Sequence, residues 1–318
     1  MPTTTSTARA LLAGLVLATA ACGGGADEAT TSTTAGDATT STTTAVTTTT
    51  DPDLDPTRLP VGDGKHSTTP QEGYVMTCQA DFPTDAPGAQ EQGPWFNGDG
   101  TWDSTAKAVV DGEVAWPARL ETEVASGVRT FTGNDLPDHP TGEFPIAEDD
   151  DAARYDRNPN AIAEQVLDVE VPAEPVVADE PTCVGGEVGV VLTGAALFSA
   201  FDAGGRDAVA WETQDACSGH PQDHGAYHYH SLTSCLADPG DGQSTLLGYA
   251  YDGFGIYGPR GADGEELTDA DLDECHGTTS EVVWEGELVE MYHYVATREF
   301  PYTVGCFMGT PLQTSFAG

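Results

Sequence analysis

Glycine and proline limit the length of every regular element in this chain. Its 318 residues include 37 glycines and 21 prolines, which interrupt almost every long window. Helical periodicity is weak, and only Asn160–Leu167 and Asp269–Glu274 could each form a short helix. Between turn clusters, short runs of β-type residues recur at Glu187–Leu192, Ala226–His230, Leu246–Tyr251, Val282–Trp284, Leu288–Ala296 and Tyr302–Val304. This pattern predicts an all-β or β-rich fold, a single irregular β-sandwich or barrel-like domain.

The N-terminus has the pattern of an export signal. Arg9 precedes an apolar run over residues 11–18, which is too short to span a bilayer, and small residues follow it. This predicts a signal peptide over residues 1–21 and an exported protein. Cys22, next to three glycines, resembles the lipidated cysteine of a bacterial lipoprotein signal, which would place the protein on the outer face of the membrane. An ordinary cleaved signal with a chance cysteine is the alternative.

A threonine-rich segment follows the signal. Residues 30–50 contain 13 threonines and 2 serines, too little apolar surface to offset the entropy of ordering. We therefore predict that residues 22–70 form a lipidated N-terminus and disordered Thr/Ser-rich linker, and that residues 71–318 form the folded domain.

The charge of the chain excludes one class of partner. Asp and Glu number 52 against 11 Lys and Arg, which gives a net charge of −41. Nucleic acids and anionic lipid surfaces attract basic proteins, so neither is expected as a partner. Contact with the membrane is expected only through a lipid on Cys22. A small-molecule or glycan ligand stays open, because Tyr251, Phe254 and Tyr257 could stack on a sugar; core packing is the preferred interpretation.

Six cysteines remain beyond Cys22, an even number that suits disulfides in an exported protein. Six cysteines allow 15 pairings, and the sequence does not choose among them. Proximity along the chain favours the pairs Cys217–Cys235, Cys275–Cys306 and Cys78–Cys183.

Histidines cluster in one segment of the chain. Between Gly219 and His230 lie four of the eight histidines: His220, His224, His228 and His230. If Ala226–His230 is a strand, alternation puts His228 and His230 on one face and the two tyrosines between them on the other. His220 could return over the same face through the turn at Pro221. Neighbouring imidazoles on one face are typical of a site for a divalent transition metal, with copper or zinc favoured.

Further candidate ligands are less specific. His293 lies on an otherwise apolar strand face, and Asp252 follows a strand among aromatic residues and glycines. With Asp252 included, the set could also hold iron or manganese. His224 and His276 are weaker candidates. The alternative is structural: the tyrosines pack in the core and each histidine bonds to its neighbours.

Several motifs together resemble one protein family. The string Tyr227-His228-Tyr229-His230, with Gly219-His220-Pro221 before it and Cys235 after it, is similar to the signature of the YHYH-domain family of exported proteins. The strings over residues 248–258, 272–277, 95–102, 136–142 and 155–160 are similar as well, so the resemblance spans roughly residues 74–310. It implies no established activity. It gives most weight to His220, His228, His230 and Asp252, then to His276 and His293.

The sequence thus predicts a surface lipoprotein with a histidine-centred metal site, and it leaves open whether the protein is an enzyme. One alternative is a non-catalytic module that binds a glycan or a protein. Another is a metal-free hydrolase with His228 or His230 as general base.

Overall fold

The computed structural model describes residues 54–79, 81–86, 88–89, 91–236, 238, 240 and 242–312 of the chain. The predicted signal peptide over residues 1–21, the lipidation site Cys22 and the threonine-rich residues 30–50 lie outside the described residues. These three assignments therefore stay predictions from the sequence.

Short strands dominate the described part of the chain, which confirms the β-rich prediction. In chain order they are β1 (Leu59–Pro60), β2 (His66–Ser67), β3 (Val75–Met76), β4 (Thr101–Trp102), β5 (Val109–Val110), β6 (Leu120–Ala125), β7 (Val128–Gly133), β8 (Leu167–Pro172), β9 (Glu187–Val191), β10 (Ala196–Phe198), β11 (Gln214–Asp215), β12 (Gly219–Pro221), β13 (Tyr227–Tyr229), β14 (Leu246–Ala250), β15 (Gly255–Tyr257), β16 (Gly277–Trp284) and β17 (Glu287–Val295).

Helical structure in the described residues is limited to short segments. These are α1 (Ala208–Trp211) and 3-10 helices at Asp151–Arg154, Asp223–Gly225 and Asp269–Asp271. The last lies within the predicted Asp269–Glu274. The described helices have at most four residues, so none of them could span a membrane.

The prediction of a helix over Asn160–Leu167 is wrong. Backbone amides of this segment bond to neighbouring segments instead of to each other: Ala163 N–H donates to the carbonyl of Gly225, and Gln165 N–H donates to that of Asn134. The segment is therefore extended, and Leu167 begins β8.

Two sheets share the main core. The larger has eight strands in the order β12-β13-β10-β9-β14-β15-β17-β16, and only the β10–β13 and β15–β17 pairs are parallel. The smaller is the antiparallel meander β6-β7-β8. In β8 the apolar Leu167, Val169 and Val171 are buried while the acidic residues between them are exposed, as the period of a strand requires. Phe131 of β7 packs on Tyr249 of β14, with ring centroids 5.2 Å apart, which joins the two sheets.

One predicted strand is absent, and ordered structure begins earlier than the sequence predicted. The predicted strand over Tyr302–Val304 is wrong, because Tyr302 has a φ of 66° and lies in a turn. Ordered structure also begins before residue 71: Leu59 pairs with Trp102 and is buried against Trp95. The few apolar residues after the threonine-rich segment, Leu54, Leu59 and Val61, were too weak a signal to place the start of ordered structure.

Three disulfides brace the domain, and all three are the pairs that proximity along the chain favoured. They join Cys78 to Cys183, Cys217 to Cys235 and Cys275 to Cys306, with Cα–Cα distances of 5.0, 5.3 and 4.6 Å. Cys217–Cys235 brackets the segment that contains β12 and β13, so it ties together the two ends of the histidine cluster.

Candidate metal centre

Two paired strands bring three histidines together. In the antiparallel pair β12–β13, His220 is the direct register partner of His228. The connecting turn uses left-handed backbone at His224 (φ 67°) and Gly225 (φ 86°). A Cβ at Gly225 would lie 2.5 Å from the carbonyl oxygen of Ala161, so only glycine fits there. His220 thus returns over the same face as His228, as the turn at Pro221 suggested.

The tyrosines of β13 point to the opposite face, where their hydroxyl groups form hydrogen bonds. Tyr229 Oη lies 2.6 Å from His139 Nε2 and 2.9 Å from Thr193 Oγ1. Tyr227 Oη donates to the Asp215 carboxylate at 2.9 to 3.0 Å. The alternation predicted for this strand is therefore present, with one face of buried hydroxyl networks and one of imidazoles.

On the imidazole face the rings converge. His228 Nε2 and His230 Nε2 are 3.1 Å apart. One nitrogen from each of His220, His228 and His230 can be chosen so that all three lie within 4.8 Å of one another. All three side chains are about 3 % exposed, and Phe198 covers His228 with its ring centroid 4.0 Å away. The cluster is therefore preformed and shielded from solvent.

Hydrogen bonds on the far side of two rings determine which nitrogen is free. His230 Nδ1 lies 2.6 Å from the carbonyl oxygen of Ser199, so it carries the proton and donates. His228 Nδ1 donates in the same way to the carbonyl of Ala226 at 3.2 Å. In neutral rings both Nε2 atoms then present lone pairs to each other. This contact is unfavourable unless a cation lies between them.

A proton on one of these rings is a poor candidate for that cation, because burial disfavours the charged imidazole. Burial lowers the pKa of His230 to about 4. Burial, followed by the neighbouring histidines, holds the pKa of His220 and of His228 well below the usual range. His220 adds an independent signal, because neither of its buried ring nitrogens has a hydrogen-bond partner among the described residues. Buried polar atoms without partners are rare and call for an explanation.

Sequence reasoning missed Glu212, which lies beside the cluster. Its Oε2 is 3.5 Å from His220 Nε2 and 3.6 Å from His230 Nε2. Glu212 directly follows α1, whose N-terminus is capped by Asp207. Burial, and then the charges of Asp202 and Asp156, raise its pKa well above the usual range. Nothing in the sequence singled it out among 52 acidic residues; only the position of α1 in the fold does so.

Three of the separations between these atoms suit a metal ion, whereas Glu212 is not in the group of ligand atoms that all lie within 4.8 Å of one another. Two ligands about 2.05 Å from a tetrahedral zinc ion lie about 3.3 Å apart. The separations of 3.1, 3.5 and 3.6 Å lie close to that value. The two Nδ1–H groups bonded to carbonyl oxygens are also the usual outer partners of metal-binding histidines, since they orient the rings.

His293 and Asp252 lie elsewhere in the sheet. His293 is on β17, five strand spacings from β13, or about 24 Å at ~4.8 Å per spacing. Its Nδ1 bonds the carbonyl of Met291 at 3.1 Å. Asp252 follows β14, and its Oδ2 accepts hydrogen bonds from Tyr294 Oη at 2.6 Å and Gly309 N at 2.8 Å. Neither belongs to the histidine group of the described residues.

The two weaker candidates are also separate from the group. His224 has a side chain 87 % exposed, 3.5 Å from Asp223. His276 is buried, with Nε2 2.9 Å from Thr297 Oγ1 and Nδ1 3.4 Å from Asp269. Both therefore have local partners of their own.

A second group of ligand-type atoms lies near the tyrosine face, where His139 is close to Cys217 and Cys235. The two cysteines form a disulfide with each other, and His139 bonds Tyr229. In the oxidised protein this group offers no thiolate to a metal.

Residues 168–268 match the family model described as YHYH protein, which confirms the resemblance for the part of the chain that contains the histidine cluster. The matched segment contains Glu212 as well as His220, His228 and His230. Neither the curated proteins nor the solved structures compared with the chain gave a match.

Proposed function

We propose that this YHYH-family protein binds one divalent transition metal ion through His220, His228 and His230, with the carboxylate of Glu212 as the fourth ligand. One observation carries the proposal: two buried imidazoles face each other at 3.1 Å with their Nδ1 protons already engaged. A metal ion in that space would turn an unfavourable contact between lone pairs into two bonds.

The donor set favours zinc or copper. Neutral imidazole nitrogens suit both ions, and one carboxylate oxygen is compatible with either. The sequence suggested Asp252 as the acidic ligand; in the proposal Glu212 takes that role. Three imidazoles and one carboxylate would give the ion four protein ligands, which is the number that structural zinc sites use.

The two alternatives receive less support. A general base must reach its substrate, whereas His228 and His230 are about 3 % exposed. A glycan platform needs exposed aromatic rings, whereas Tyr251, Phe254 and Tyr257 are buried, as the core-packing interpretation held. The metal site is therefore the better interpretation of the same residues.

The proposed location is outside the cell membrane. Three disulfides suit an oxidising compartment, and the sequence of residues 1–22 supports export with a lipid on Cys22. The net charge of −41 supports the view that the lipid, and not a basic surface, would hold the protein at the membrane, and that nucleic acid is not a partner.

Elemental analysis tests the metal site. Protein purified without a metal-affinity column should contain, or take up on dialysis, close to one equivalent of zinc or copper. The double variant His228→Ala/His230→Ala should lose the metal, and His224→Ala, which removes an exposed histidine from the same segment, should keep it. Folded wild-type protein that takes up neither metal contradicts the proposal. Binding to a glycan array that a chelator does not affect would instead favour the non-catalytic glycan-binding module.

A further inference from the structure

Lys107 is one of only two lysines in the chain, and its ammonium group contacts the segment that carries Glu212. Nζ donates to the carbonyl of Val209 at 2.5 Å and to Gln214 Oε1 at 2.7 Å. These acceptors lie three residues before and two residues after Glu212. The contacts therefore hold both ends of the turn that presents the carboxylate to the histidines.

The same region contains more buried negative charge than positive charge. Its carboxylates are Asp156, Asp202, Asp207 and Glu212, of which the three aspartates are at most 4 % exposed. Its cations are Lys107 and Arg206, and Arg206 pairs with Asp202 at 2.6 Å. Full ionisation of the four acids leaves a local charge of −2. A dication at the histidine cluster would balance this charge, and a monocation would not.

We propose that Lys107 is a specificity-determining residue of the metal site, whose ammonium charge limits how strongly this acidic region prefers a divalent over a monovalent ion. This inference rests on the proposed metal site. It concerns which ion is held and in which oxidation state, which the ligand set alone does not determine.

Coulomb's law gives the direction of the effect. An ammonium near the site repels a dication with twice the energy that it repels a monocation at the same distance. Removal of the Lys107 charge should therefore tighten the binding of Zn²⁺ and Cu²⁺ more than that of Cu⁺. The reduction potential of bound copper must then fall, because the affinity for the oxidised ion increases more than the affinity for the reduced ion.

A purely mechanical role predicts a different pattern. If Lys107 only holds the turn, its loss lets Glu212 move away from the histidines and weakens the binding of every ion. The carbonyl of Val209 also loses its hydrogen-bond donor. Zinc affinity would then fall. The zinc dissociation constant together with the copper potential therefore separates electrostatic from structural effects.

The test uses Lys107→Met in the full folded domain, with Lys65→Met, the only other lysine, as the matched control. We expect Lys107→Met to bind Zn²⁺ roughly tenfold more tightly or better. The reduction potential of bound copper should fall by about 59 mV for each factor of ten by which the increase in Cu²⁺ affinity exceeds the increase in Cu⁺ affinity. Lys65→Met should change neither quantity. Weaker zinc binding with an unchanged potential overturns the inference.

A second variant keeps the inference testable if Lys107→Met does not fold. Asp156 accepts a hydrogen bond from Thr213 N–H at 3.3 Å, which the amide oxygen of Asp156→Asn can also accept. Loss of this negative charge should weaken Zn²⁺ binding and raise the copper potential, the opposite of Lys107→Met. A potential that does not rise in Asp156→Asn refutes the charge argument. Wild-type protein that binds no metal refutes the proposed site itself, which is a separate result.

Discussion

Replacement of His228 by glutamine tests the site through the stability of the folded protein. His228 Nε2 is 3.1 Å from His230 Nε2, and its Nδ1 is already used by a backbone carbonyl, so the free nitrogen has no role in the fold except to face the cluster. His228→Gln removes a ligand and the contact between lone pairs at once. We expect the metal-free variant to be close to wild type in stability and to lose most of its stabilisation by zinc.

The size of the effect follows from linkage between binding and folding. Zinc at 100 times its dissociation constant stabilises the folded state by about 2.7 kcal/mol. For a folded domain of this size this raises the melting temperature by about 5–11 °C, at roughly 2–4 °C per kcal/mol. A hundredfold loss of affinity would leave about 0.4 kcal/mol at the same zinc concentration, or about 1 °C.

Differential scanning calorimetry with and without zinc measures both quantities, and His224→Gln is the matched control. Its imidazole is on the same segment, but its side chain is 87 % exposed. The control should keep the full zinc shift. The reasoning is refuted if His228→Gln and His224→Gln show equal shifts, because zinc would then bind surface histidines and not the buried cluster.

Three further predictions follow from the structure. Because burial raises the pKa of Glu212 well above its usual range, zinc must displace a proton from it, so affinity should fall by up to roughly tenfold per pH unit as the pH drops below that raised pKa, and Glu212→Gln should flatten this slope in competition titrations. Asp252→Asn should keep its metal content but lose about 1–3 kcal/mol of unfolding free energy in urea, since Asp252 accepts buried hydrogen bonds; loss of metal would contradict its placement. Replacement of Cys78 and Cys183 by serine should cost about 4–5 kcal/mol, because their disulfide closes a loop of sequence separation 105; an unchanged denaturation midpoint would contradict this.

Local periodicity was sufficient to predict which histidines lie together. In β13 a period of two fixes which side chains share a face, so the separation of His228 from Tyr229 could be predicted before any fold was known. The return of His220 needed only a turn, and the turn residues were visible in the sequence. Disulfide pairing by proximity succeeded for the same reason, since two of the three pairs close short loops.

Strand order could not be predicted in this way. His293 and Asp252 follow the same local rules as the three clustered histidines. However, β10 and β9 separate β13 from β14, which Asp252 follows, and β15 lies between β14 and β17, which carries His293. Glu212 shows the reverse case, because it has no local signature and approaches the histidines only through the position of α1. Ligands contributed by distant segments depend on long-range pairing, which one sequence does not reveal.

Diffraction at the zinc absorption edge tests the central claim most directly. Crystals of the zinc-loaded protein should show one anomalous peak within about 2.0–2.1 Å of the Nε2 atoms of His228 and His230, with His220 Nε2 and Glu212 completing the sphere. Zinc-soaked crystals in which those rings keep a direct nitrogen–nitrogen contact, with no anomalous peak between them, would contradict it.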